Sequence, residues 1–418
     1  MSKDNYHNLI IIGCGAAGMM AAISASMYEK DILILERNDV AGKKIPATGN
    51  GKCNYTNLSI SEKDYYGEDT ETAFSIYEKF DNQDTIRFFN SLGILKSDRN
   101  GYCYPYSGLA ASVRDALLRR VNELKIPIIY DFRVANIEYS DKIYTSTSKN
   151  KESYTSSRLL IAAGGQAQGC FGTDGSMYYY LRKLGHSIIT PVPALCGLKL
   201  QSDSLNRLSG VRHEAMVTIN VSDRTYNEYG EIIFSKNGIS GIPVMNLSRF
   251  ALVGLENNER AKIHLDLIHD LGETMLAAYI TKLIANSSAS VSETLQGILN
   301  IKLVCELLFA LGIDKDTPVS ALSIGFADRF ASLAKNYSFE IIGSYGFENA
   351  QVTAGGVPLS EVDHETLESK ICPNLFFAGE ILDVDAKCGG YNLQWAWSSG
   401  AVAGAYSGGG CFDKSKLC

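Results

Sequence analysis

The stretch NLIIIGCGAAGMMAAISASMYEKDILILE, residues 8–36, restricts what this chain can fold into more than any other part of it. Residues 8–12 are a continuous apolar, β-branched run, the pattern of a parallel strand buried on both faces. The run ends in GCGAAG and continues in a segment of helical composition. A second apolar run, residues 32–35, stops at Glu36. In such an arrangement Gly13 makes the tight turn, and Gly15 lets the backbone reach a pyrophosphate. Gly18 lets helix and strand pack closely, with Ala16 and Ala17 opening the helix. The helix start offers unpaired N–H groups and a positive dipole end to phosphates. At Glu36 a carboxylate can accept hydrogen bonds from both ribose hydroxyls, and it argues against a 2′-phosphate. Strand, turn, helix, strand and acid follow in order within 29 residues, which predicts a dinucleotide site on a Rossmann-type parallel sheet.

Three further segments favour FAD over NAD. The first is RNDVAGKKIPATGNGKCNYTN, residues 37–57, a loop rich in glycine and lysine. It can cover a pyrophosphate and run on along a long cofactor, with Arg37, Lys43, Lys44, Asn50, Gly51, Cys53 and Asn54 as expected contacts. The second is LLIAAGG, residues 159–165, a strand ending in small residues. Ala163 and Gly164 let the backbone pass close to an adenosine or flavin, and Val134 is a further expected contact. The third is NLFFAGE, residues 374–380, a late strand ending in Gly379 and Glu380 and followed by CGGYNLQWAWSSG. Doubly wound FAD enzymes have a similar layout: a final Gly-Asp binds the ribityl chain, and the next helix points its N-terminus at the flavin. Here Glu380 takes the aspartate's place with Asp383 and Asp385 close behind, so the ribityl carboxylate stays open among them. The amides of Asn392, Leu393 and Gln394 are expected to face the flavin and stabilise negative charge at its N1/O2 edge. Trp395 and Trp397, the chain's two tryptophans, lie about 200° apart on a helix. One is expected in the core and the other under the cofactor or its pocket, while for each taken singly a packing role is the better reading.

Six motifs occur in order along the whole chain: GCGAAGMMAAI, GKKIPATGNGKCNYTN, GEIIFSKNGISG, VTAGGV, ETLESK and FFAGEILDVDAKCGGYNLQWAWSSG. Together they resemble the BaiN-like family of bacterial NAD(P)/FAD-dependent oxidoreductases. The resemblance implies a two-part FAD domain interrupted by an inserted domain. It also implies reduction of carbon–carbon double bonds conjugated to a 3-keto group in bile-acid intermediates, with NAD(P)H as a transient co-substrate. The chain's own pattern supports the insertion, with strand-like runs at residues 216–221 and 231–234 and helical periodicity from 265 to about 335. The expected α/β architecture therefore runs as a first FAD segment 1–194, a β-rich subdomain 195–263, a helical subdomain 264–345 and a second FAD segment 346–418.

No second GxGxxG lies between residues 165 and 350, so a dedicated NAD domain is not expected and the donor must dock transiently. Reduction of an enone needs hydride on one carbon, a proton donor on the other, and hydrogen bonds on the carbonyl. Tyr391, beside the presumed flavin, suits the donor role, and Cys388 is the second candidate. For Cys53 and Cys388 a small residue filling space is the better reading. Thr353 and the Glu368, Ser369, Lys370 trio are expected to order the loop over the cofactor. His186, His213 and His264 lie outside every motif and read as surface or structural residues. An FAD-dependent amine or ketone oxidase and a non-catalytic flavoprotein remain alternatives.

Composition narrows the partners. A formal net charge of −7 opposes binding to a phosphate backbone, so no nucleic acid is expected. Ten cysteines without a CxxC suggest reduced thiols rather than a disulfide framework or a metal site. Neither a signal-peptide pattern nor a span-length apolar run is present, so a cytoplasmic protein with no membrane span is expected. The expected substrate is a small hydrophobic, steroid-like enone; the oligomeric state stays open.

Overall fold

The computed structural model describes residues 5–202 and 204–417. They form two compact units, Met1–Val192 with Gln351–Cys418, and Pro193–Ala350.

The first unit is built on a seven-stranded sheet. Its central strand, Tyr6–Ile12, pairs in parallel with Ile32–Leu35 on one side and Ser153–Ile161 on the other. All four residues of Ile32–Leu35 and the last four of Tyr6–Ile12 are buried. Cover on both faces is why these runs are continuous rather than alternating. Beyond Ile32–Leu35 lies the short strand Ile128–Ile129. Strand Ser153–Ile161 divides its pairing. Its first half is antiparallel to Ile143–Ser148, which pairs onward with Val134–Ser140, and its second half is parallel to Leu375–Phe377. Because Tyr6–Ile12 has its next strand on one side and a much later one on the other, its carboxyl end is a topological switch point. Open α/β sheets bind ligands at such points.

Two buried helices cross this unit, Ala16–Ala25 and Tyr391–Ser407. Gly400, Gly404 and Gly408 recur every fourth residue on the second and lie on the backbone of Ala17, Ala21 and Ala25 on the first. A Cβ at these glycines would stand 2.6, 2.4 and 2.8 Å from the respective carbonyl oxygens. That close seam leaves space for indoles only on the helix's other sides. Trp395 donates its indole N–H to the Gly379 carbonyl at 3.1 Å, and Trp397 donates to the Tyr55 carbonyl at 2.8 Å. Both indoles are buried. Each indole ties a passing chain segment to the helix, a packing role.

The second unit is a closed six-stranded barrel. Its order is Leu198–Gln201, Gly238–Ser240, Arg224–Ser235, Arg212–Val221, Ala261–Asp266 and Tyr337–Ser344, closing back on Leu198–Gln201. The helices between residues 273 and 335 are an excursion between the last two strands, which pair directly, Ile263 opposite Phe339. The expected boundary at 263/264 thus falls inside a strand, and one barrel strand lies beyond the helices. Sequence periodicity misses this because a single strand after a helical run carries no mark of its distant partner.

His186 is buried in the first unit. Its Nδ1 lies 2.7 Å from Glu361 Oε2 and its Nε2 2.9 Å from Ser369 Oγ. Ser369 Oγ already accepts the amides of Ile371 and Cys372, at 3.0 and 2.8 Å. Its hydroxyl hydrogen therefore goes to Nε2, which leaves a neutral ring donating Nδ1–H to Glu361. Glu368 caps the Asn374 amide at 2.7 Å, and Lys370 reaches the Ser360 carbonyl at 3.1 Å. Glu368 and Ser369 thus order the turn before Leu375–Phe377, and Lys370 ties it to the Ser360 carbonyl. Burial lowers the His186 pKa from 6.5, partly opposed by Glu361. The unfolded chain then binds the proton first, so stability is full above about 6.5 and is lost as pH falls below it. Burial pushes the Glu361 carboxyl up, but hydrogen bonds from Ser187 and His186 outweigh it and hold it below 4.5, extending the loss to lower pH. The melting temperature is expected to fall on acidification below about 6.5, and His186→Gln to flatten that slope. An unchanged slope would remove His186 as the titrating group.

Candidate cofactor site

At the switch point the turn Gly13, Cys14, Gly15 leads into helix Ala16–Ala25. Gly13 has φ +102°, and a Cβ there would stand 2.4 Å from the Ala162 carbonyl and 3.0 Å from Ala163 Cα. A Cβ at Gly18 would stand 1.9 Å from the Gly13 carbonyl oxygen. At Gly15 it would meet nothing within 4 Å. Two of the three glycines are thus demanded by the protein's own packing, whereas Gly15 faces open space. The helix has no side-chain cap and no acid in its first turn, so its first N–H groups stay available to an anion.

Glu36 is buried beside this turn. Its Oε2 accepts the Cys14 amide at 2.7 Å, and Oε1 accepts both the Asn38 amide and side chain at 2.8 Å. Three of about four acceptor positions are filled, which leaves room for one hydroxyl rather than the two expected. Arg37 pairs with Asp174 at 2.6 Å and donates to the Gly172 carbonyl at 2.9 Å. Burial would raise the Asp174 carboxyl, but Arg37 and Ser176 pull it down to about 2. Lys43 lies 3.8 Å from Asp39 at the surface. Val134 is buried in the sheet opposite Ser148.

A second cluster gathers around Glu380. Gly379, at φ +77°, is held by Ser399 Oγ, which accepts its amide at 2.9 Å, and by the Trp395 indole. Glu380 Oε1 accepts the Thr353 amide at 2.9 Å, and Oε2 pairs with Lys44 at 3.2 Å. Thr353 Oγ1 accepts the amides of Gln166 and Ala167, at 2.7 and 3.0 Å. It therefore does order the glycine loop that follows Ala163 and Gly164. Among the three late carboxylates, Glu380 keeps 21% side-chain exposure. Asp383 is buried and accepts the Glu68 amide at 2.9 Å, and buried Asp385 sits in a strand pair opposite Tyr66. Of the three, Glu380 alone is not fully buried.

The third part is the N-terminus of helix Tyr391–Ser407. Gly389 and Gly390 have φ of +127° and +98°. A Cβ at Gly390 would stand 2.6 Å from the Thr56 carbonyl, and one at Gly389 2.5 Å from the Tyr102 ring. Asn57 Nδ2 donates to the Gly389 carbonyl at 2.9 Å. The Gln394 amide donates to the Gly390 carbonyl at 2.9 Å. Its side chain is buried between Thr56, Phe80 and Ser398. The expectation of three open amides is corrected to two, Asn392 and Leu393, which have no acceptor among the described residues. The Asn392 side chain is itself spent on the Ala386 amide and carbonyl, at 3.0 and 2.8 Å. Asn54 Oδ1 is buried without a donor, 2.9 Å from the Cβ position of Gly390.

The candidate catalytic groups lie at this end. Tyr391 donates its hydroxyl to the Ser59 carbonyl at 3.1 Å. Burial raises the Cys388 thiol, and it pushes Cys53 up to about 12, so both are neutral at pH 7. Cys53 is fully buried at φ +55°, a space-filling thiol. Asn50 and Gly51 are exposed at φ +53° and +82°, with open space at the Gly51 Cβ position. Asn57 and Tyr102, which hold the Gly389 turn, had no signal in the sequence, because their pairing joins segments 45 positions apart.

An open glycine turn before a helix, a buried acceptor lacking a donor and two uncommitted helix amides suit FAD. Fold and site define a flavoprotein oxidoreductase of the Rossmann class. Residues 7–406 match the HI0933-like protein Rossmann domain, and the chain belongs to this family. The 3-dehydro-bile acid delta(4,6)-reductase of Clostridium scindens is 38% identical over 94% of this chain and 97% of its own. The ribosomal RNA dihydrouridine synthases of Haemophilus influenzae and Escherichia coli are each 26% identical, over 95% and 93% of this chain and 97% and 95% of theirs. Among the described residues no helix is long and apolar enough to cross a membrane, and no three potential metal ligands gather.

Proposed function

We propose that this protein reduces carbon–carbon double bonds conjugated to a ketone in 3-keto steroid or bile-acid-like substrates, with FAD as cofactor and NAD(P)H as transient donor. The observation that carries the reading is the 38% identity to the bile-acid reductase along nearly the full length of both chains. Bound FAD supplies the hydride. Gly15 and the helix behind it hold the pyrophosphate, Glu36 one ribose hydroxyl, and Glu380, fixed by Lys44 and Thr353, the ribityl chain. The Asn392 and Leu393 amides stabilise negative charge that develops near them. Tyr391 provides the proton by leaving the Ser59 carbonyl, and the neutral Cys388 thiol is the second candidate.

Among the described residues the inserted unit is a barrel with helices and offers no second dinucleotide fold, so the nicotinamide donor visits rather than owning a domain. A second reading, reduction of uridine in RNA, follows from the two dihydrouridine synthases, since that ring also holds a double bond conjugated to a carbonyl. The net charge of −7 disfavours it. Anaerobic mixing with NADH or NADPH is expected to bleach the flavin. A 3-keto-4-ene steroid should then restore its colour and gain one molecule of hydrogen. Reoxidation by oxygen but not by the enone would point to an oxidase, and reoxidation by uridine-rich RNA to the second reading.

Glu36→Ala is expected to weaken FAD binding by about 1–3 kcal/mol, because a charged hydrogen bond to the ribose is lost. Turnover at saturating FAD should survive. An unchanged dissociation constant in an equilibrium titration of apoprotein would take Glu36 out of the site.

A further inference from the structure

The hairpin Lys96–Arg99 with Tyr102–Pro105 forms a small sheet with Thr56–Asn57, Thr56 opposite Cys103 and Asn57 opposite Tyr102. Along the second strand Cys103 and Pro105 are buried, whereas Tyr102 and Tyr104 are half-exposed and the following Tyr106 is 72% exposed. Side chains alternate between the faces of a strand, so Tyr102 and Tyr104 form one stripe, with Tyr106 in the turn just beyond the strand. The stripe starts at the candidate site, where the Tyr102 ring packs on Gly389 at the entrance of helix Tyr391–Ser407. Tyr104 comes next, with its ring edge 3.7 Å from the Cβ position of Gly49. The Arg99 guanidinium lies 5.8 Å from the Tyr104 ring centre. Arg99 is exposed and has no carboxylate partner among the described residues, unlike Lys96, which lies 3.8 Å from Asp98.

We propose that this tyrosine face is the wall on which the substrate's flat ring system lies, and that Arg99 binds a carboxylate on its tail. The inference rests on the reductase reading above and assigns the residues that hold the ring system and the acidic tail of such a substrate. An aromatic face beside an unpaired guanidinium offers dispersion contact to a planar ring and a charge-assisted hydrogen bond to an anion. Such a wall continuous with the glycine turn sets the ring against the end of the helix where hydride and proton must arrive. Tyr104 lies at its centre.

The test is ligand binding to the FAD-loaded enzyme, read as perturbation of the flavin absorbance. Two probes are compared, a 3-keto-4-ene steroid with a carboxylate tail and the same ring system without one. Tyr104→Ala is expected to weaken both by about tenfold or more, and Tyr104→Phe to stay close to wild type, since the ring makes the contact. Arg99→Ala should weaken only the carboxylate probe, by about tenfold. Flavin content and reduction by dithionite should match wild type in each variant, which shows that fold and cofactor site are intact. If wild type binds the enones and all three variants bind them equally well, the wall is wrong and the reductase reading stands. Equal loss of both probes in Arg99→Ala overturns the carboxylate assignment. A wild-type protein that binds neither enone overturns wall and reading together, whether or not it binds uridine-rich RNA.

Discussion

Gly404→Val yields no soluble folded protein, and Gly404→Ala loses about 2–3 kcal/mol of unfolding free energy: these are the expected results at the helix seam. A Cβ at Gly404 stands 2.4 Å from the Ala21 carbonyl oxygen and 2.7 Å from its Cα. The collision is with backbone, so no side-chain change at position 21 relieves it. The two helices must separate, and Ala16–Ala25 is held on its other side by the central sheet. Alanine's helix propensity returns about 1 kcal/mol, too little to offset overpacking in a seam with glycine contacts one turn above and below. Urea unfolding with Gly297→Ala as control decides the matter, because a Cβ at Gly297 meets nothing within 4 Å. Equal midpoints for the two alanine variants would show that the seam is not close-packed.

Gly390→Val is expected to cost the enzyme its FAD. Gly390 holds φ +98°, which disfavours any β-branched residue, and its Cβ would stand 2.6 Å from the Thr56 carbonyl. The strain of about 1–2 kcal/mol adds to a backbone collision, so the turn must move off strand Thr56–Asn57. That movement displaces the Asn392 and Leu393 amides and uncovers Asn54. Purified variant is expected to be colourless or to hold FAD loosely. In any fraction that keeps FAD the midpoint potential should fall, since the amides no longer stabilise negative charge. Potentiometry and flavin release on acid precipitation check it: full FAD content at an unchanged potential would mean that this helix does not address the flavin.

The switch-point turn was legible because its demands are local. Gly13 needs a positive φ and Gly18 a close approach to Gly13 itself, both within one strand–turn–helix unit. The central strands were legible because cover on both faces makes them continuously apolar. The helix Tyr391–Ser407 was legible in place but not in use. Its Gln394 amide reads as facing a flavin, yet it donates to the Gly390 carbonyl, and the side chain is buried against Thr56 and Phe80, segments more than 300 positions away. The glycines that follow it carry no mark of a partner in the sequence and form a helix–helix seam. The helical excursion of the inserted unit hid a barrel strand, Tyr337–Ser344, whose partners precede it by some 70 to 140 residues.

By itself the sequence determined the class of fold, the position of the dinucleotide turn, the acid after the second strand and the late Gly-Glu strand, because each is set by neighbours within a few residues. Only the tertiary structure decided which carboxylate stays open, which helix amides remain unspent, where both indoles go and that a tyrosine face adjoins the glycine turn. Those outcomes depend on competition among donors and acceptors brought together from distant segments. A residue's type states what it can bond, and only the packed neighbours decide what it has left to offer.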